Sequence, residues 1–172
     1  MLASIQIFCR CVVLLVFAVS FGSKVRHAGL FQQTILSFAL LPQRLTLPAA
    51  WLFLLLEALV VVLVALAGPF LMPGYLLAGM LLLLFSLALL SVLLRRISTT
   101  CSCFGPTHKV VSASDIVRNV GFILCALGGY LTWLEPTQRS GLDLLAWLPG
   151  ILGALIFVGI WTQLGEIVHL FR

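Results

Sequence analysis

Acidic residues are scarce in this chain, with five Asp and Glu in 172 residues, and charged residues of both signs make up only 9%. A soluble domain of that composition would have to expose apolar surface almost everywhere, so a soluble globular protein is excluded. The ten Lys and Arg give a net charge of +5. They stand singly or in pairs between apolar runs, as loop charges of a membrane protein do, and no nucleic-acid partner is expected. Cysteine is also short. Five residues, one of them (Cys125) alone in an apolar run, are too few and too uneven for a secreted disulfide scaffold. No internal repeat of fixed period is present.

Hydrophobic residues account for 62% of the chain and fall into runs of about 18–22 residues, each able to cross about 30 Å of hydrocarbon. The expectation is an all-α polytopic transmembrane bundle forming one domain over 1–172, embedded in the lipid bilayer. Spans are expected at 5–21, 49–67, 75–94, 115–133 and 144–163. The apolar stretch at 30–41 is too short to span and reads as an interfacial helix ending before Pro42. The first run competes with a signal-peptide reading, with Arg10 as its charged region, but Gly22, Ser23 and Lys24 finish it like an interfacial helix end. Gly68, Pro69, Pro73 and Gly74 mark a tight turn. Small residues four apart, at Gly121, Cys125 and Gly129 and at Ala146, Gly150 and Ala154, mark close-packing seams between helices.

Lys24, Arg26 and Arg44 fall in the first connection, and Arg95, Arg96, Lys109 and Arg118 around the third. With five spans, these charges put the N-terminus outside and the C-terminus in the cytoplasm of a multi-pass cell-membrane protein. They also place Cys101 and Cys103 at the cytoplasmic face and Cys9 and Cys11 near the outer one.

Reactive chemistry concentrates at residues 95–106, Arg-Arg-Ile-Ser-Thr-Thr-Cys-Ser-Cys-Phe-Gly-Pro. Two thiols one residue apart close into a disulfide only with strain, and a strained bridge is readily reduced. Arg95, Arg96, His108 and Lys109 supply positive charge that favours the thiolate. Cys101 and Cys103 are thus candidates for a redox pair. Two idle thiols in a turn remain an alternative, as does a metal site with His108, although no fourth ligand is evident. No cofactor is expected.

Glu57, near the centre of the second expected span, is costly at mid-bilayer and should face the bundle interior, paired with a cation or holding a proton. Lys24 and Arg118 are the available cations. A proton site beside a redox or quinone pocket and a purely structural tie between helices both fit. Asn119, at the start of the fourth span, is placed to hydrogen-bond and orient the cysteine loop. Cys9 and Cys11, flanking Arg10, are either a second redox pair or small packing residues, and Cys125 reads as a packing residue.

Several of these residues occur together in order: Phe21-Gly22-Ser23-Lys24, Phe38-Ala39-Leu40-Leu41-Pro42, Glu57, Phe85, Arg95-Arg96, Cys101-Ser102-Cys103-Phe104-Gly105, and Ser114 through Arg118-Asn119. In this the chain resembles the methylamine utilisation protein MauE family, related to the DoxX-like membrane proteins. The resemblance implies a four-helix DoxX-like core, to which a fifth span is added here. It also implies a role in processing, transport or maturation of the methylamine dehydrogenase small subunit, with a thioredoxin-like protein and a disulfide-containing client as partners. That maturation lies outside the cytoplasm, on the face opposite to the one the loop charges give Cys101 and Cys103. Taken with the residues, it points to a thiol-disulfide component with Cys101 and Cys103 as the reacting pair and Lys24, Glu57, Arg118 and Asn119 in support. Two other classes are a non-catalytic assembly or chaperone subunit and a small-molecule transporter organised around Glu57.

Overall fold

The computed structural model describes residues 2–37, 43–95, 113–134 and 144–162. Cys101, Cys103, His108 and Lys109 lie outside the described residues.

The described chain is helical throughout its elements, as hydrocarbon requires of a single segment that must satisfy its own backbone polar groups. The helices are α1 (Leu2–Arg26), α2 (Ala28–Ser37), α3 (Gln43–Leu66), α4 (Leu71–Leu94), α5 (Ala113–Leu134) and α6 (Leu144–Thr162). Four of them, α1, α3, α4 and α5, are long and apolar enough to cross a membrane. The sixth, where the fifth span is expected, has 19 residues and a rise of about 28 Å, but its apolar stretch, Trp147–Thr162, is shorter than those of the other four.

Helices α1, α3, α4 and α5 close a ring in which each packs on the next and α5 returns to α1. The short α2 lies against α3, and α6 lies outside the ring against α1. The core between them is Val12, Val16, Phe17, Val60, Val64, Tyr75, Ala78, Leu81, Phe122 and Ala126. The outside is as apolar as the inside: Leu55 is 65% exposed and Leu124 61%. Such a surface suits lipid, not water.

Two boundaries differ from the sequence expectation for identifiable reasons. Helix α3 begins at Gln43 and runs through Pro48. The carbonyl left without its helical N–H belongs to Arg44, which with Pro48 lies at the exposed outer end of the helix, where loss of one bond is tolerable. The turn between α3 and α4 is tighter than four turn residues suggested. Ala67 and Gly68 have φ of 61° and 59° and reverse the chain into a single 3-10 turn, Gly68–Phe70. Pro73 and Gly74 belong to α4. Gly74 is there for contact, since a Cβ would lie 3.0 Å from Val64 Cγ2 across the α3–α4 seam.

Arg10 caps a neighbouring helix. Its Nε donates to Val64 O at 3.1 Å and its Nη2 to Ala65 O at 3.0 Å, carbonyls of the last turn of α3 that lack helical partners. A cation there also meets the negative end of the helix dipole. Arg10→Met keeps the apolar stem and removes both bonds, and should lower stability by about 1–2 kcal/mol. Thermal unfolding in detergent measures this; an unchanged midpoint would show that the carbonyls find other donors.

Candidate functional site

The polar residues of the bundle interior gather in one place. Lys24, in the last turn of α1, turns inward instead of toward the headgroups and sets its Nζ 2.5 Å from Glu57 Oε1 on α3. Ser20, one turn earlier on α1, donates to the same oxygen at 3.1 Å. The pair is removed from lipid and water alike, Lys24 being 2% and Glu57 3% exposed. Three phenyl rings complete the housing of the ammonium: Phe53 of α3, Phe31 of α2 and Phe85 of α4, with centroids 4.6, 5.0 and 5.9 Å from Nζ. Each ring presents the negative face of its quadrupole to a cation. An ion pair this deep is tolerable because its charges are matched and the ammonium is surrounded by favourable partners.

Among the described residues Glu57 Oε2 has no hydrogen-bond partner, although it is buried. A cavity of about 30 Å³ adjoins it, lined by Ser20, Lys24, Phe53, Glu57, Phe85 and Asn119 among others. That is room for about one or two waters. Asn119 of α5 also lines the cavity. Its Nδ2 donates to Ser86 Oγ at 3.0 Å and to Leu82 O at 3.4 Å, so this amide ties α5 to α4.

Of the residues singled out from sequence, Lys24, Glu57 and Asn119 are therefore brought together. Arg118 is not. It pairs with Asp115 one turn earlier at 3.3 Å, and its carbonyl accepts from Trp161 Nε1 of α6 at 3.0 Å. That backbone carbonyl helps to seat α6 on the first turns of α5. Sequence reasoning missed Ser20 and the ring housing. Phe31, Phe53 and Phe85 lie on three different helices, and nothing local in their sequence says that they converge on one ammonium.

The remaining cysteines are free thiols. Cys9 of α1 is buried and faces Cys125 of α5. Cys125 thus packs in the seam between Gly121 and Gly129, as expected, and meets a second thiol there. The two glycines each receive a ring. A Cβ on Gly121 would lie 2.4 Å from Trp161 Nε1, and one on Gly129 2.5 Å from Tyr75 Cζ.

Residues 96–112, which carry Cys101 and Cys103, join the end of α4 to the start of α5. Asn119 stands about 9 Å along α5 from that junction and Phe85 about 15 Å along α4. The polar cavity therefore lies within the half of the bundle to which the cysteine segment is attached.

No curated protein and no solved structure matches the chain. A family model described as methylamine utilisation protein MauE does match, over residues 2–132, from α1 almost to the end of α5 and through every residue of the polar cluster. On that match the chain belongs to the MauE family of membrane proteins associated with methylamine utilisation.

Proposed function

We propose that the protein is a membrane component of a thiol-disulfide pathway that serves maturation of a disulfide-containing client, as in processing of the methylamine dehydrogenase small subunit. The observation that carries this is the buried Lys24–Glu57 pair beside a water-sized cavity, in the half of the bundle where α4 and α5 hold the cysteine segment. Cys101 as thiolate attacks a client disulfide; one client S–S bond breaks, a mixed S–S bond forms, and a client thiolate leaves. Cys103 then attacks Cys101, releasing the second client sulfur and closing the Cys101–Cys103 disulfide. The client gains two electrons and this chain loses two, which a thioredoxin-like dithiol restores. Run in reverse, the same steps oxidise the client. Glu57 and Lys24 buffer the protons that thiol and thiolate exchange, and Asn119 holds α4 and α5 in register.

Cys103→Ser removes the resolving thiol and should trap the mixed disulfide. Under oxidising conditions the variant should accumulate a client adduct that dithiothreitol releases and that Cys101→Ser/Cys103→Ser does not form. An absence of adduct together with intact client maturation overturns the redox role in favour of an assembly subunit. Loss of small-molecule uptake in Glu57→Gln, with the cysteine variants still active, overturns it in favour of a transporter.

A further inference from the structure

We propose that the opposite end of the bundle holds a specific site for one anionic phospholipid, with its phosphate on Arg10 and one acyl chain between α1 and α6. A cleft of about 300 Å³ opens there, lined by Arg10, Cys11, Leu14, Trp147, Ile151 and Leu155 among others. Among the described residues Arg10 is the only charged one of that lining. Its guanidinium is fixed by two α3 carbonyls and lies 5.3 Å from the Trp147 ring centroid. Those carbonyls take Nε and Nη2, so the Nη1 edge is left for a ligand. Among the described residues no carboxylate lies within ion-pair distance of Arg10. A guanidinium held still, without a carboxylate partner among the described residues and with N–H groups left to donate, is matched by the oxygens of a phosphodiester.

The lining then changes character with depth. Leu14 is one turn inward from Arg10, and Ile151 and Leu155 are one and two turns inward from Trp147, so apolar side chains follow the cation along both walls. From Trp147 to Leu155 is about 12 Å, close to one leaflet of a roughly 30 Å hydrocarbon core. Trp at the mouth fits the aromatic belt of a membrane interface. A headgroup-sized anion with an attached hydrocarbon tail satisfies both halves; free phosphate satisfies only the first.

The test is native mass spectrometry of the full chain from a neutral detergent, with phosphatidylglycerol, phosphatidylcholine or inorganic phosphate added. One phosphatidylglycerol per chain should be retained, about tenfold more tightly than phosphatidylcholine, whose own quaternary ammonium offsets the phosphodiester charge and is repelled by Arg10. Ile151→Trp, which fills the cleft from a lipid-facing position, should abolish retention while leaving Arg10 in place. Arg10→Gln should bind the two lipids equally. Equal retention of both lipids by the native chain, unchanged retention in Ile151→Trp, or displacement of phosphatidylglycerol by inorganic phosphate overturns the site. If Arg10→Gln proves too unstable to isolate, the Ile151→Trp comparison decides alone.

Discussion

Lys24→Met should lose about 3–5 kcal/mol of folding stability, because it leaves the Glu57 carboxylate buried without a counter-charge. Glu57→Gln should lose less, about 1–3 kcal/mol. The asymmetry follows from what each survivor can do. Glu57 sits well inside α3, and its other partner among the described residues is Ser20. Lys24 lies two residues from the end of α1, keeps its contacts with Phe31, Phe53 and Phe85, and has a stem long enough to carry the ammonium out to the interface. The double variant Lys24→Met/Glu57→Gln buries no charge and should be more stable than Lys24→Met alone. A double-mutant cycle by thermal or denaturant unfolding in detergent gives the coupling directly. Additive losses would mean that the two groups do not depend on one another in the folded protein.

Gly129→Ala should destabilise by about 1–3 kcal/mol, the range for forcing a methyl into a filled interior. The new Cβ would lie 2.5 Å from Tyr75 Cζ and 2.6 Å from Cε1, inside any tolerable contact. A phenol ring cannot bend away, and Tyr75 is 2% exposed with core on every side, so α4 and α5 must separate. Gly79→Ala is the control, since nothing lies within 4 Å of its Cβ position and alanine is the better helix former. It should be neutral or slightly stabilising. Tyr75→Leu shortens the obstructing side chain and should recover part of the Gly129→Ala loss. Equal midpoints for the two alanine variants would show that the seam between α4 and α5 is looser than these contacts imply.

Hydrophobic run length alone made the helical bundle legible, since hydrocarbon leaves a single segment no other way to satisfy its backbone. Helix ends were less so. Proline is a reliable stop signal in water-soluble helices, yet α3 continues through Pro48 and α4 begins before Pro73. Glu57 announced itself because a carboxylate in an apolar run has few explanations. Its partner was harder to choose: Lys24 and Arg118 both lie near span ends, and only the packing of α1 on α3 and the pairing of Arg118 with Asp115 separate them. The ring housing and the Cys9–Cys125 contact depend on which faces of distant helices meet, and no period within one helix encodes that.

The Lys24–Glu57 pair also constrains how the polypeptide enters the bilayer during synthesis. Its two members are 33 residues apart, so the lysine leaves the ribosome first and waits at a helix end, where an ammonium can rest among headgroups. The glutamate has no such refuge and must be met as its own segment partitions into lipid. The leading helix thus acts as an intramolecular receptor for the one that follows, making the order of translation part of the assembly pathway.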